Sequence, residues 1–324
     1  MRVGVIGGAN PDEFGAHIAD ALRQLGHAVT PVANAFPRGM MSRPLLLARA
    51  ALPTLDERAQ DRIFRILADT DCEVVINIDL RIAPGIVAKL RARGMRVAFW
   101  FPDALVNIGR QYMLLAPYNA VFLKDRHMVA RMGAFSLTPI YYLPEACNPL
   151  IHRAVGPAAT DPYLVIAGSM YPSRVRLLER LAAKGIPMAI YGGAFPRWIG
   201  PTPLMALHRG RPVFGAEKAA VFRSAAAVLN TLHPAEVEGM NARLFEATGS
   251  GAAVLSEFRP ALPELFVPDE EVLAFRDFDE LVSQAERLLA DHALAARLGD
   301  AATARAHRDH TYERRVAAIL GKLT

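Results

Sequence analysis

The chain opens on a strand-like run at residues 2–7 (RVGVIG), apolar from Val3 onward, followed by a loop at 8–14 that begins with small residues. Apolar positions then fall at helical spacing, at Ala16, Ile18, Ala19, Leu22 and Leu25, before Gly26. A continuous apolar run reads as a strand buried on both faces. The change to a 3.6-residue period reads as a helix, and the glycine ends it. Ala28–Val32 is the next strand, which completes a βαβ opening and implies a parallel sheet covered by helices.

The pattern recurs through the first half. Residues 72–78 (CEVVINI) form a strand with Asn77 and Asp79 at its end, and 83–93 form a helix stopped by Gly94. Residues 95–101 (MRVAFWF) form a strand ending at Pro102 and Asp103. Further strands are expected at 119–123 and 140–143, with a short helix between them. The segment 156–162 (GPAATDP) reads as a linker. A second series follows it, with strands at 163–167, 187–191, 226–230 and 253–255 and helices at 173–183, 219–224, 241–248 and 278–290. Two helices, 293–307 and 311–323, close the chain. The expected domains are 1–155 and 156–305, both Rossmann-like, with 306–324 packing back on the first. Ligands in such α/β domains bind beyond the carboxyl ends of the strands, and a cleft between two of them is the natural site.

Composition narrows the class. The chain has 324 residues, 52% hydrophobic and 21% charged, enough to bury two ordinary cores. Cys72 and Cys147 are far apart and lack metal-type spacing, so they read as reduced thiols. No stretch reaches the roughly 20 apolar residues of a membrane span, and the start lacks the pattern of a signal peptide. The expected location is the cytoplasm. A net charge of +5 suits an anionic ligand, but the arginines are spread out and no nucleic-acid module is legible.

The most informative stretch is 238–246, EGMNARLFE. Asn241 can cap a helix whose free N–H groups and partial positive charge suit a phosphate. Glu246 lies inside that helix, where a carboxylate can accept bonds from ribose hydroxyls. Glu238 precedes the helix and lies nearer a reacting sugar. The plain alternative is a capped surface helix with two solvated glutamates.

This stretch resembles the E-x7-E motif of retaining GT-B glycosyltransferases. Its surroundings are similar to the CgeB-like glycosyltransferases: Arg243, Phe245, Glu246, Ala247, Gly249 and Gly251 before the strand at 253–255, then Leu265–Phe266, Asp279–Glu280–Leu281 and His310–Thr311–Tyr312 with Arg315. Upstream, Gly168, Ser169 and Arg174 and the turn Ile190–Gly193 fit as well. The likeness covers about 163–316 and is looser in the first half, where Asp103 and residues 142–148 carry it. It implies two facing Rossmann-like domains with the C-terminal helices crossing back, and transfer of a sugar from a nucleotide-diphosphate donor to an acceptor. It also implies roles. Gly168 and Ser169 would approach the diphosphate and Arg174 would neutralise it. The amides of Met240 and Asn241, with Ala242 and Arg243 beside them, would hold the distal phosphate, and Glu246 the ribose. Tyr191, Gly192 and Gly193, with Val213, Phe214 and Gly215, would line the base.

No metal or other cofactor is expected, since no His/Asp/Glu cluster is legible in the sequence; His307 and His310 read as structural. The leaving diphosphate would then be stabilised by arginine and helix dipole. For the acceptor side, Asp103, Asp79 and His17 are candidate bases, with Glu238 on the donor side. A retaining reaction needs no strong base and an inverting one needs one of these. The segment 40–55 (MMSRPLLLARAALPTL) reads as a core helix, with a helix lying on a membrane or acceptor surface as the alternative. Three rivals remain: an NAD-dependent oxidoreductase, disfavoured because 7–14 is not G-x-G-x-x-G and no acidic residue ends the second strand; a nucleotide-sugar epimerase of the same architecture; and a non-enzymatic nucleotide- or sugar-binding protein.

Overall fold

The computed structural model describes residues 1–8, 12–33, 42–104 and 112–323, with only the backbone at 42, 43, 45, 46 and 50. Residues 9–11 of the expected first loop, and Met40 and Met41 of the 40–55 segment, lie outside these. The chain forms two compact units, Met1–Pro144 with Tyr312–Thr324, and Glu145–Thr311.

The first unit runs β1 (Arg2–Ile6), α1 (Phe14–Gln24), β2 (Ala28–Val32), α2 (Ser42–Ala51), α3 (Pro53–Asp69), β3 (Val74–Asn77), α4 (Pro84–Ala92), β4 (Arg96–Phe101), α5 (Tyr112–Leu115), β5 (Ala120–Leu123), α6 (Arg126–Gly133) and β6 (Ile140–Tyr142). Its six strands are ordered β2-β1-β3-β4-β5-β6, all parallel. The strand order reverses between β1 and β3. β1, β3, β4 and β5 are buried almost throughout, which is why they read as unbroken apolar runs. Gly15 lets α1 dock on the loop after β1: a side-chain carbon there would lie 2.2 Å from the Gly7 carbonyl oxygen and 2.5 Å from that of Gly8.

The second unit runs β7 (Asp161–Ala167), α7 (Pro172–Ala183), β8 (Met188–Tyr191), α8 (Gly215–Ser224), β9 (Ala225–Asn230), α9 (Ala242–Gly249), β10 (Val254–Glu257), α10 (Leu262–Leu265), β11 (Leu273–Phe275), α11 (Phe278–Ala290) and α12 (His292–Asp309). Its parallel sheet is ordered β11-β10-β9-β7-β8. Alternate residues of each strand feed opposite cores. Leu164, Ile166, Leu229 and Leu255 pack on Leu178, Leu181, Leu281 and Leu288. Val165, Val228 and Val254 pack on Phe222, Leu244 and Phe245. The last helix, α13 (Tyr312–Leu323), returns to the first unit and packs on α1 and β4. There the Phe14 ring meets Trp100 at 4.6 Å and Tyr312 at 5.7 Å.

Two elements depart from expectation. β11 lies at the edge of the second sheet in a segment with no strand signal of its own. The described leucines of the 40–55 segment do not enter a core. Pro53 begins a new helix at its far end, and Leu47, Leu52 and Leu55 are exposed. Arg49 turns inward and donates to Asp56 at 2.8 Å. No described helix is long and apolar enough to cross a membrane.

Candidate functional site

In the second unit the strand order reverses between β7 and β9, and ligands of open α/β sheets bind at such a point. Three loops meet there. The first leaves β7 at Gly168, whose N–H donates to the Tyr191 carbonyl at 2.9 Å. The second leaves β9 at Thr231, and the third is the amino end of α9. Thr231 ties them together. Its carbonyl accepts from Arg174 Nη2 at 2.8 Å, Tyr171 Oη at 3.4 Å and Asn241 Nδ2 at 3.5 Å. Asn241 also caps α9, accepting from the Leu244 N–H at 3.4 Å.

Arg174 is placed otherwise than its sequence context suggests. Its side chain is buried and committed to protein oxygens: Nε to Thr231 Oγ1 at 2.7 Å, Nη1 to the Ser169 carbonyl at 2.7 Å, and Nη2 to Thr231. Burial pushes its pKa down to about 10, and the Arg243 charge nearby acts in the same direction. It braces the loop that holds Ser169, whose own side chain is exposed. On its other side lies a cavity of about 470 Å³, lined by Tyr171, Arg259, Arg276 and Phe278 among others.

The cation aimed at the loop is Arg243. Gly168 has a φ of +116°. A side-chain carbon there would lie 2.8 Å from Nη2 of Arg243 and 3.0 Å from Nη1. The guanidinium therefore lies directly over the loop, and its Nε is buried with no hydrogen-bond partner among the described residues. Glu246 follows one turn later on the same face of α9, and its carboxylate pairs with Lys218 Nζ of α8 at 3.1 Å. Lys218 is buried, a position the sequence did not single out: its helix carries no motif, and only the fold brings it to Glu246. Glu238 is half-buried, and its carbonyl accepts from the Ala261 N–H at 3.1 Å. Met240 is buried beneath the amino end of α9.

The other predicted donor residues gather past β8. Arg209 N–H donates to the Ile190 carbonyl at 2.8 Å, and Gly192 N–H to the Arg211 carbonyl at 3.2 Å. These bonds hold 209–211 along the strand end, so that Val213, Phe214 and Gly215 follow beside Tyr191, Gly192 and Gly193. Val213 is buried, whereas Phe214 stands 60% exposed at the start of α8, an available aromatic face. His307 and His310 serve as props: Nε2 of His307 bonds the carbonyls of His152 and Gly249, and Nε2 of His310 that of Leu265.

The first unit has its own reversal point between β1 and β3, and a cleft of about 500 Å³ lies there, lined by Gly8, Glu13, Phe14, Ile78, Asp79, Leu80 and Arg81. Asp79 accepts from the Arg81 backbone N–H at 3.0 Å and from its Nε at 3.4 Å. His17 is buried on α1, its Nε2 3.5 Å from an Asp12 carboxylate oxygen and its ring stacked on Tyr312 at 5.2 Å. Asp12 holds a φ of +65°, in the left-handed region. Asp103 is exposed just beyond β4 and is not among the residues lining this cleft.

Two Rossmann-like units of this kind make the GT-B fold, and solved glycosyltransferases share it along the chain. Sucrose-phosphate synthase from Thermosynechococcus elongatus aligns over 99% of this chain and 98% of its own, with a TM-score of 0.72 at 14% identity. The lipopolysaccharide outer core galactosyltransferase WaaB aligns over all of both chains, with a TM-score of 0.61 at 16% identity. Anabaena HepE, solved in complex with UDP and glucose, also aligns over all of both chains, with a TM-score of 0.66 at 12% identity. No curated protein matches the sequence. The chain has the GT-B fold, and its residues 174–321 match a glycosyl transferase-like family, which favours sugar transfer over the epimerase and oxidoreductase readings.

Proposed function

We propose that the second unit binds a nucleotide-diphosphate sugar at the meeting of Gly168, Thr231 and α9, and that the enzyme transfers the sugar to an acceptor without a metal ion. The observation that carries this is Arg243, a guanidinium over the Gly168 loop with a buried, unpartnered Nε. A diphosphate is the kind of acceptor that would complete it. The amino end of α9 adds free N–H groups, with Met240, Asn241 and Ala242 beneath the phosphates. Glu246, oriented by Lys218, takes the ribose, and the exposed Phe214 ring with Gly192 and Gly193 takes the base. Glu238 lies on the sugar side. In the first unit, the 500 Å³ cleft holds the acceptor, with Asp79, Asp103 and His17 as the candidate proton acceptors. Of the three, Asp79 is the one that lines the cleft.

A panel of UDP-, GDP- and dTDP-sugars, read by thermal shift and by calorimetry, tests the reading. UDP-sugars come first because HepE was solved with UDP and glucose. One family should bind, hydrolyse slowly and retain full activity in EDTA. No shift with any member would refute the donor site, and loss of activity in EDTA would refute metal independence.

A further inference from the structure

We propose that the α2–α3 elbow of the first unit docks on an anionic lipid bilayer. Leu47, Leu52 and Leu55 are 72%, 55% and 39% exposed, and Ala51 and Pro53 between them are exposed as well. Five apolar residues thus face solvent where α2 ends and α3 begins. Beyond them, Arg58, Arg62 and Arg65 are exposed on α3 at spacings of four and three residues, which places them on one helix face in line with Leu55. None of the three makes a hydrogen bond or ion pair among the described residues. The acidic residues of α3 in this region are ion-paired to other partners. Asp56 pairs with Arg49, and Glu57 and Asp61 both pair with Lys89 of α4, at 3.1 and 2.9 Å. Asp69, at the far end of the helix, is exposed.

An apolar end followed by an uncompensated row of arginines fits an acyl-chain boundary beneath acidic headgroups. It fits a protein partner less well, because docking on a protein would require matching carboxylates along some 10 Å of helix, the length of seven residues. The elbow also has a fixed place in the unit. Gln60, one turn and a residue beyond Leu55, bonds the Arg81 carbonyl at 3.0 Å and the Ala83 N–H at 2.9 Å. The face is therefore anchored to the loop that lines the 500 Å³ cleft, and docking would bring that cleft to a membrane surface. This surface does not depend on the donor assignment.

The test is co-sedimentation of the full chain with vesicles of phosphatidylglycerol and phosphatidylcholine, and with phosphatidylcholine alone, at about 50 and 500 mM salt. Binding is expected only to the anionic vesicles and should weaken at high salt. Each arginine is worth about fivefold in partitioning near an anionic surface, so Arg58→Ala, Arg62→Ala and Arg65→Ala together should lose on the order of 100-fold. Leu47→Ser, Leu52→Ser and Leu55→Ser together should lose binding comparably. All six side chains are exposed, and far-UV circular dichroism with an unchanged urea midpoint confirms that both variants fold. Equal binding by wild type and either variant would overturn the proposal, as would absence of binding by wild type. A wild-type dimer in sedimentation velocity that becomes monomeric in the leucine variant would assign the face to a second copy of the chain instead.

Discussion

Two arginines meet near Gly168, and the structure divides their work in a way that substitution can separate. Arg174 makes three hydrogen bonds to Thr231 and Ser169 from a buried position. At about 1–1.5 kcal/mol each, Arg174→Ala should destabilise the fold by about 3–4 kcal/mol. Arg243 contrasts with it. Its Nε is buried without a partner, a condition that costs about 1–3 kcal/mol, and its charge lies close enough to Arg174 to lower that group's pKa. Arg243→Ala removes both penalties along with some packing. The folding stability should therefore stay within about 1 kcal/mol of wild type, on the high side.

Donor affinity should move the other way. Charge-assisted hydrogen bonds are worth about 1.5–3 kcal/mol, so losing the Arg243 contact to a diphosphate should weaken binding roughly 10- to 150-fold. Arg174→Ala should lower affinity only as far as it loosens the Ser169 loop, and that loss should follow its drop in stability. Urea unfolding gives the first quantity and calorimetry with the preferred donor the second. If Arg243→Ala keeps wild-type affinity, or if Arg174→Ala loses affinity with no loss of stability, the assignment of roles is wrong.

The remaining predictions concern the supports of the two units. Lys218→Met removes the ammonium that pairs with the Glu246 carboxylate and should cost about 3 kcal/mol in urea unfolding, whereas Lys218→Met with Glu246→Leu should recover most of that and still lose donor affinity. A double variant as unstable as the single one would remove the pair from the argument. Gly15→Ala places a carbon 2.2 Å from the Gly7 carbonyl oxygen and should cost at least about 3 kcal/mol, since backbone rather than a mobile side chain must yield; a melting temperature within a degree of wild type would contradict the close packing. Burial raises the pKa of Tyr118 well above 10, against the opposing bond from Asn77 Nδ2 at 2.7 Å. The folded state then holds this proton more tightly than the unfolded state, so its contribution is complete below pH 10 and lost as pH rises above it. Above pH 10, wild type should lose about 1.4 kcal/mol per pH unit relative to Tyr118→Phe, and parallel stability curves for the two would refute this.

Much of the fold was legible because a parallel sheet covered on both faces writes its strands as apolar runs, as at β1, β4 and β9, and glycine ends its helices, as at Gly26 and Gly94. The exceptions have physical causes. β11 is a three-residue edge strand whose middle residue, Ala274, is only half-buried, so it has neither length nor alternation to show. The 40–55 segment has a core-like composition, but composition does not say which way a side chain points. Leu47, Leu52 and Leu55 are exposed because Pro53 starts a new helix and because the inward position at the bend goes to Arg49, paired with Asp56.

The same blindness to direction explains the candidate site. Residue types and spacing bring Gly168, Arg174, Asn241, Arg243 and Glu246 to one edge of one sheet, because each follows a strand at its carboxyl end or begins the helix beyond it. Which arginine faces the loop is decided by hydrogen-bond satisfaction, which depends on partners distant in sequence. Arg174 finds Thr231, 57 residues away, and is used up by it. Arg243 shares a face of α9 with Glu246, but that carboxylate is taken by Lys218, 28 residues back. Its counter-charge is thus claimed by another cation, and that leaves Arg243 as the group over Gly168 best placed to gain from an arriving anion. A guanidinium kept next to a second one, with its Nε buried and the neighbouring carboxylate paired elsewhere, costs stability in the free protein. That cost is what a binding site for a dianion would carry before its ligand arrives.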